Sequence, residues 1–153
     1  MKKRYYLLAL VLVLFMFLVG CSGVITPSIN LTGNWTMTNI VTATNNPIHD
    51  IGATTTAKCN IVDSSGSLTI YNFYIVNQFI NWNTGYGTFY KPVITANISG
   101  SYLNIYGQTV SVVIYFEGNI DASGISGSGT WIQTISVSGY TWITSGTTIF
   151  IKG

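Results

Sequence analysis

The fold is decided by one stretch of sequence, Thr109-Val110-Ser111-Val112-Val113-Ile114-Tyr115-Phe116-Glu117-Gly118-Asn119, and by the turn residues Asp121-Ala122-Ser123-Gly124 that follow it. Side chains alternate between the two faces of a strand, so Val110, Val112, Ile114 and Phe116 all fall on one face. This pattern predicts a half-buried strand. Because Asp, Ser and Gly favour tight turns, we expect the next segment, Ile125–Ile135, to return antiparallel to it.

The rest of the chain after residue 30 repeats this pattern of extended segments and turn residues. Thr, Ser, Ile, Val, Tyr and Trp predominate, and no stretch shows a sustained helical periodicity. Trp35, Met37 and Val41 share one face of the first segment. The predicted strands are Gly33–Thr42, Thr54–Asp63, Ser67–Val76, Phe79–Trp82, Gly87–Phe89, Val93–Ser99, Tyr102–Tyr106, Thr109–Asn119, Ile125–Ile135 and Tyr140–Ile151.

Short connections between these segments predict an all-β fold built as an antiparallel meander of about eight or nine strands. Such a meander either closes into an up-and-down β-barrel or stacks as a β-sandwich. Closure removes the exposed strand edges that promote aggregation, and few charges protect edges in this chain. We therefore expect the barrel, with the sandwich as the alternative.

The N-terminus carries a targeting pattern. Lys2-Lys3-Arg4 precedes an apolar run, Leu7–Val19, which is too short to span comfortably a bilayer core of ~30 Å. The run ends in Leu18-Val19-Gly20-Cys21, which resembles the lipobox of bacterial lipoproteins. The resemblance implies a signal peptide over residues 1–20, which is removed when Cys21 is lipidated.

This resemblance also implies the domain organisation and the location. Residues 21–30 become the lipidated cysteine with a tether, and residues 31–153 form the domain. The lipid on Cys21 holds the protein on the membrane, at an extracytoplasmic face of the cell envelope. In a Gram-negative bacterium, Ser22 after the cysteine implies the outer membrane, because the usual retention signal is Asp.

Composition excludes several classes of protein. The chain is 48% hydrophobic and 7% charged, whereas disordered chains are poor in hydrophobic residues and rich in charged ones. Three of its six basic residues lie at positions 2–4, so the portion from Cys21 onward carries three lysines against four carboxylates. Nucleic-acid binding requires clustered Lys and Arg, so nucleic acid is excluded as a partner.

A second resemblance lies at the start of the domain. Gly33-Asn34-Trp35, preceded by Leu31-Thr32, is similar to the beginning of lipocalins and of bacterial lipocalin-like lipoproteins. The resemblance implies a calycin-type barrel in which Trp35 plugs the closed end, and Lys152 is the candidate for the basic residue over it. The segment Ile125-Ser126-Gly127-Ser128-Gly129-Thr130-Trp131 and the strand around Trp142 look like the repeated SGxGTW strands of such lipoproteins.

Residues for catalysis or metal binding are scarce. His49 is the single histidine, and its neighbour Asp50 cannot easily orient it because adjacent side chains diverge. A zinc site needs three or four ligands, and one His with one free cysteine, Cys59, is too few. We therefore expect no enzyme activity, no metal and no cofactor, and we expect Cys59 to be a small buried residue.

Aromatic residues provide the remaining functional signal, because eight of them crowd into Tyr71–Tyr90. They serve either strand packing or the lining and rim of a ligand site. Trp82, Tyr86 and Tyr90, beside a predicted hairpin tip at Gly85 and Gly87, are the candidate ligand-binding residues. His49 is a candidate as well, because the first long loop of a calycin-like barrel lies over its open mouth.

These observations predict a lipid-anchored, non-enzymatic envelope lipoprotein that binds a small apolar ligand in or at the mouth of a barrel. The alternative is a structural or adhesive surface lipoprotein. Its barrel would be filled by side chains, and it would contact an envelope protein or a glycan.

Overall fold

The computed structural model describes residues 28–153, which form nine β-strands and no helix. The signal peptide, Cys21 and most of the tether predicted above lie outside the described residues. The strands are β1 (Gly33–Thr44), β2 (Thr54–Ser64), β3 (Ser67–Ile75), β4 (Asn81–Trp82), β5 (Gly85–Tyr90), β6 (Val93–Leu103), β7 (Thr109–Ile120), β8 (Ser126–Val137) and β9 (Tyr140–Lys152).

Eight of these strands close into an antiparallel up-and-down barrel. Each pairs with the next, except that β3 pairs with β5 across the short β4, and β1 and β9 complete the ring. Trp35 on β1 lies between Cys59 on β2 and Lys152 on β9. The extra strand, β4, pairs with β6 at Gly100 and Ser101, beyond the end of β5. The predicted barrel is confirmed, and the sandwich does not form.

The alternation of exposed and buried residues along β7 shows how the sequence determines the inner and outer faces of the barrel. Exposed and buried residues alternate without interruption along the strand, so Val110, Val112, Ile114 and Phe116 point inward as predicted. Gly118 follows on the same face and lies opposite Gly129 of β8. A Cβ on Gly129 would lie 2.6 Å from the Cα of Gly118, so only glycine permits this close approach of the two strands.

One end of the barrel is closed by aromatic rings and by the residues that precede β1. The Trp35 ring lies 5.9 Å from that of Phe150, which lies 5.1 Å from that of Phe116. The Trp35 indole Nε1 donates a hydrogen bond of 2.8 Å to the carbonyl of the fully buried Leu31. Lys152 Nζ donates to the carbonyl of Asn30 at 3.0 Å and so fixes the incoming chain. Trp35 thus occupies the closed end.

The opposite end is surrounded by four connections, residues 45–53, 76–80, 104–108 and 138–139. The first is the longest and contains His49. Because the barrel is an up-and-down meander, these four connections surround a single opening. The chain enters the barrel at the closed end, so the opening faces away from residue 28.

Two predictions about local structure were wrong. Ser99-Gly100-Ser101 was predicted to divide two strands, Val93–Ser99 and Tyr102–Tyr106, but it lies inside the single strand β6. Gly100 is needed there because a Cβ would lie 2.7 Å from Cε3 of Trp82. Gly85 and Gly87 form part of β5, not a hairpin tip, and a Cβ on Gly85 would lie 2.7 Å from the side chain of Ile98.

Candidate functional site

The barrel encloses an apolar cavity of about 280 Å³, which extends from Trp35 and Phe150 at the closed end to the loop of residues 45–53 at the open end. Its wall comprises Trp35, Met37, Asn39, Val41, Ile48, His49, Asp50, Ala53, Thr55, Ala57, Cys59, Ile61, Ile70, Phe73, Ile75, Gln78, Ile94, Ala96, Ile98, Ile114, Phe116, Trp131, Gln133 and Phe150.

Small side chains leave this space empty. Ala57 on β2 and Ala96 on β6 point inward and are buried, where larger residues would fill the barrel. The indole of Trp131 turns against β9, and its Nε1 donates to the carbonyl of Thr147 at 3.1 Å. Gly146 makes that position possible, because a Cβ there would lie 2.8 Å from Trp131 Nε1. The cavity therefore depends on residue size at a few inward positions.

Gln133 is the most deeply buried polar group of the cavity wall. It is 4% exposed and lies between Ile114 of β7 and Thr144 of β9. No hydrogen bond joins its side-chain amide to another described residue, and the amide is not among the fully buried unpaired atoms, which are Trp82 Nε1 and Thr148 Oγ1, so it is open to the cavity. A ligand with a polar group in the cavity would form a hydrogen bond with this amide.

Polar groups continue from Gln133 towards the opening. The Oγ1 atom of the buried Thr144 lies 2.8 Å from Oγ1 of Thr44 and 3.1 Å from Nδ1 of His49. Partial burial lowers the pKa of His49, so its ring is neutral at neutral pH and offers one donor and one acceptor. Polar side chains thus extend from Gln133 to His49, and Asn39, Thr55 and Gln78 add further polar groups to the wall.

The loop that carries His49 is held by asparagine side chains. Asn46 is buried, and its Oδ1 accepts a hydrogen bond of 3.1 Å from the amide of Ile48. Asn45 Oδ1 accepts one of 2.6 Å from the amide of Ile143 on β9. These contacts fasten the loop to the barrel and place His49 and Asp50 at the rim of the cavity, where the first long loop was expected to lie.

Cys59 lies in the cavity wall and is buried, as predicted. Burial in apolar surroundings raises the pKa of its thiol to about 12, so the reactive thiolate is scarce at neutral pH. This environment makes Cys59 a packing residue rather than a nucleophile.

We expect Cys59 to resist alkylation by iodoacetamide in the folded protein at mildly alkaline pH and to react readily once urea unfolds the chain. Intact-mass spectrometry measures the modified fraction. In the matched control, Cys59→Ala combined with Lys58→Cys moves the thiol one residue along β2 to its exposed outer face. That thiol should be alkylated in the folded state. Equal rates for the two folded proteins would contradict the assignment.

The structure does not bring Trp82, Tyr86 and Tyr90 together. Trp82 is half-buried inside the barrel, with its ring 4.8 Å from that of Phe73 in an edge-to-face arrangement. Tyr86 lies on the outer face of β5, because its neighbours Gly85 and Gly87 point inward, and Tyr90 is exposed at the closed end. Ligand contacts by these three residues stay a prediction.

Trp82 divides the interior into two parts. It packs against the cavity side through Phe73 and also against a smaller cluster of Val110, Val112 and Ile135 near the open end. Its indole Nε1 is buried and has no hydrogen-bond partner within residues 28–153. Val110, Val112 and Ile135 do not line the main cavity, so this cluster fills a separate part of the interior.

Sequence reasoning overlooked Gln133, although a signal was present. In Trp131-Ile132-Gln133-Thr134-Ile135, period-two alternation puts Gln133 on the same face as Trp131 and Ile135, which are both buried in the structure. A polar residue on the inward face of a strand indicates that the interior at that position is not a purely apolar core. Thr144, five residues after Gly139, follows the same rule, because it shares the buried face of β9 with Gly146 and Phe150.

Residues 28–153 contain no group of three or more His, Cys, Asp or Glu side chains arranged to hold a metal ion. They also contain no helix long and apolar enough to cross a membrane.

Asp121 stabilises the turn between β7 and β8, where its Oδ1 accepts hydrogen bonds from the amides of Ser123 at 3.0 Å and Gly124 at 2.9 Å. Hydrogen bonds from the hydroxyls of Ser123 and Ser126 lower the pKa of this carboxyl group.

The described residues thus define a closed, eight-stranded antiparallel barrel with an internal apolar cavity, which is compatible with a lipocalin-like fold. No protein family, no curated protein and no solved structure matches the chain.

Proposed function

We propose that this protein is a lipid-anchored, non-enzymatic envelope lipoprotein that binds a small apolar ligand inside its barrel. The observation that carries the proposal is the enclosed apolar cavity of about 280 Å³. At ~30 Å³ per water-sized group, such a space accommodates a molecule of about ten non-hydrogen atoms. Binding pockets for small molecules share this combination of apolar walls with a few polar groups.

Capture would occur by burial, without covalent chemistry. Each square ångström of apolar ligand surface removed from water contributes ~25 cal/mol, and the ring of paired strands holds the walls in place before binding. The unpartnered amide of Gln133 favours a ligand with one hydroxyl or carbonyl group. His49, which contacts Thr144 opposite Gln133, lies in the connection at the opening, where the polar end of a ligand would pass.

The position of the N-terminal residues supports the anchoring part of the proposal. Ser28 and Asn30 lie beside Asp63, Tyr90 and Lys91 at the closed end. A lipid on Cys21 would therefore hold the barrel by its closed end, and the opening would face away from that membrane.

Surface contact with an envelope protein or glycan is the second candidate function. The observation that favours it is the row of exposed isoleucines on the outer face of the barrel, Ile143, Ile149 and Ile151 on β9 with Ile132 on β8. A group of exposed apolar side chains on one face of a protein is typical of a surface that contacts a partner.

The test that separates the two candidates is native mass spectrometry of the full chain, purified from the membranes of a bacterial host. The first proposal expects an added diacyl mass that Cys21→Ala removes, together with a smaller molecule released on unfolding. A lipidated protein with an empty cavity, which also fails to bind naphthalene in titrations, would overturn ligand binding. A pull-down would then test the second candidate.

Gln133→Leu should separate polar from purely apolar ligand recognition. We expect the affinity for 1-naphthol, whose hydroxyl can pair with the Gln133 amide, to fall about tenfold, which corresponds to one hydrogen bond of ~1.4 kcal/mol. The affinity for naphthalene should stay the same or rise, because leucine removes the unpaired amide. Fluorescence titration of both probes measures the effect. Equal changes for both would contradict a polar contact at Gln133.

A further inference from the structure

The open end carries exposed apolar side chains on three of its connections and at the first residue of β9. We call them the apolar crown, which consists of Ile48, Ile51, Phe79, Ile105, Tyr106 and Tyr140. Phe79 is 98% exposed and Ile105 is 92% exposed, so neither contributes to the stability of the barrel. Isolated exposed apolar residues are ordinary, but their concentration around one opening is not.

The charged side chains of the described residues lie mostly away from the open end. Among the described charged side chains, only Asp50 lies in a connection at the open end. Lys91, Lys152, Asp63 and Asp121 lie at the closed end, where the chain enters the barrel. The closed end therefore carries four of the described charged side chains, whereas the connections at the open end, which contains the entrance to the cavity, carry one.

From this distribution we propose that the apolar crown docks onto the surface of a lipid bilayer. The crown consists of separate side chains that project from three connections and the start of β9 around an opening, whereas a protein interface requires a continuous and closely packed patch. A fluid bilayer accepts such separate projections. Tyr106 and Tyr140 have the amphipathic rings that are enriched at the boundary between lipid and water.

The position of the crown also has a consequence for ligand transfer. The cavity opens between Ile48, His49 and Gln78, inside the ring of crown residues. An apolar molecule could therefore pass between the bilayer and the cavity without crossing water. Because the chain enters at the closed end, a barrel anchored through Cys21 would present the crown on the side away from its anchor.

The test uses residues 22–153, which lack Cys21 and contain every strand and both clusters of buried side chains. Flotation with phosphatidylcholine vesicles measures the bound fraction. We expect binding by the unmodified domain and a loss of at least about tenfold when Phe79→Ser is combined with Ile105→Ser, because one aromatic ring and one aliphatic side chain leave the lipid. Circular dichroism confirms that the variant is folded.

The matched control replaces two other exposed aromatic residues, which lie away from the open end. Tyr86→Ser combined with Tyr90→Ser removes two exposed rings, one on the outer face of β5 and one at the closed end, and should leave vesicle binding unchanged. Failure of the unmodified domain to float, or equal losses in the two double variants, would overturn the proposal. A dimer that forms through the crown without vesicle binding would also overturn it.

A second measurement locates the contact directly. Phe79→Cys or Tyr90→Cys is labelled with the fluorophore NBD, while the buried Cys59 stays unlabelled in the folded state. Vesicles should increase the emission at residue 79 and leave that at residue 90 unchanged, and the reverse result would contradict docking by the crown. This outcome is independent of ligand binding, so an empty cavity would not affect it.

Discussion

Replacing Trp35 with alanine is expected to lower the free energy of unfolding by about 4 kcal/mol, the largest effect of any single substitution considered for this barrel. The indole is 3% exposed, and it contacts the ring of Phe150 within the closed end. Its Nε1 also satisfies the carbonyl of Leu31, which would become a buried acceptor without a partner. The loss combines a large cavity with an unpaired polar group.

Urea unfolding followed by circular dichroism measures this effect. The control is Tyr86→Ala on the outer face of β5, which should change the stability by less than ~0.5 kcal/mol because Tyr86 is mostly exposed. Trp35→Phe should fall between the two, since it keeps a ring but loses the hydrogen bond to Leu31. A Trp35→Ala variant as stable as Tyr86→Ala would show that the aromatic plug does not hold the closed end.

Filling the cavity with Ala96→Phe is expected to reduce the affinity for naphthalene by at least about 30-fold. The methyl group of Ala96 faces the cavity from β6, and a phenyl ring at that position would occupy much of the 280 Å³. Naphthalene would then have to displace the ring, and forcing a side chain out of place in a packed interior costs ~2 kcal/mol. The fold itself should persist, because the new ring enters empty space.

Asn97→Phe provides the matched control for this experiment. It adds the same ring on the same strand, but at an exposed position on the outer face. Its affinity for naphthalene should equal that of the unmodified protein, as measured by fluorescence titration or calorimetry. If Ala96→Phe bound naphthalene normally, the probe would have to bind outside the barrel, and the cavity would no longer support a ligand-binding function.

Several features of the fold could be predicted from local sequence because they depend on period-two alternation. The inward face of β7, the inward positions of Trp35, Met37 and Val41, and the burial of Cys59 all follow from residue type and spacing. The turn at Asp121 was predictable for the same reason, since its side chain bonds to amides only two and three residues ahead. These are short-range properties of the chain.

The sequence alone did not show which glycines form turns and which allow two strands to approach closely. Gly100 has the local signature of a turn, with a serine on either side, but its role is to accommodate Trp82 from another strand. Gly85 and Gly87 looked like a hairpin tip and instead allow β5 to pass close to β6. A glycine that serves a turn and a glycine that serves a close approach look alike until the neighbouring strand is known.

The sequence by itself determined the class of the fold and the division of residues between inside and outside, because both follow from alternation along each strand. Only the tertiary structure decided which inward residues fill space and which surround it. The cavity arises where the small Ala57 and Ala96, from strands far apart in sequence, face a common volume. Tertiary structure also gathered Gln133, Thr144 and His49 at one place and the apolar crown around one opening, since closure of the barrel brings its connections together.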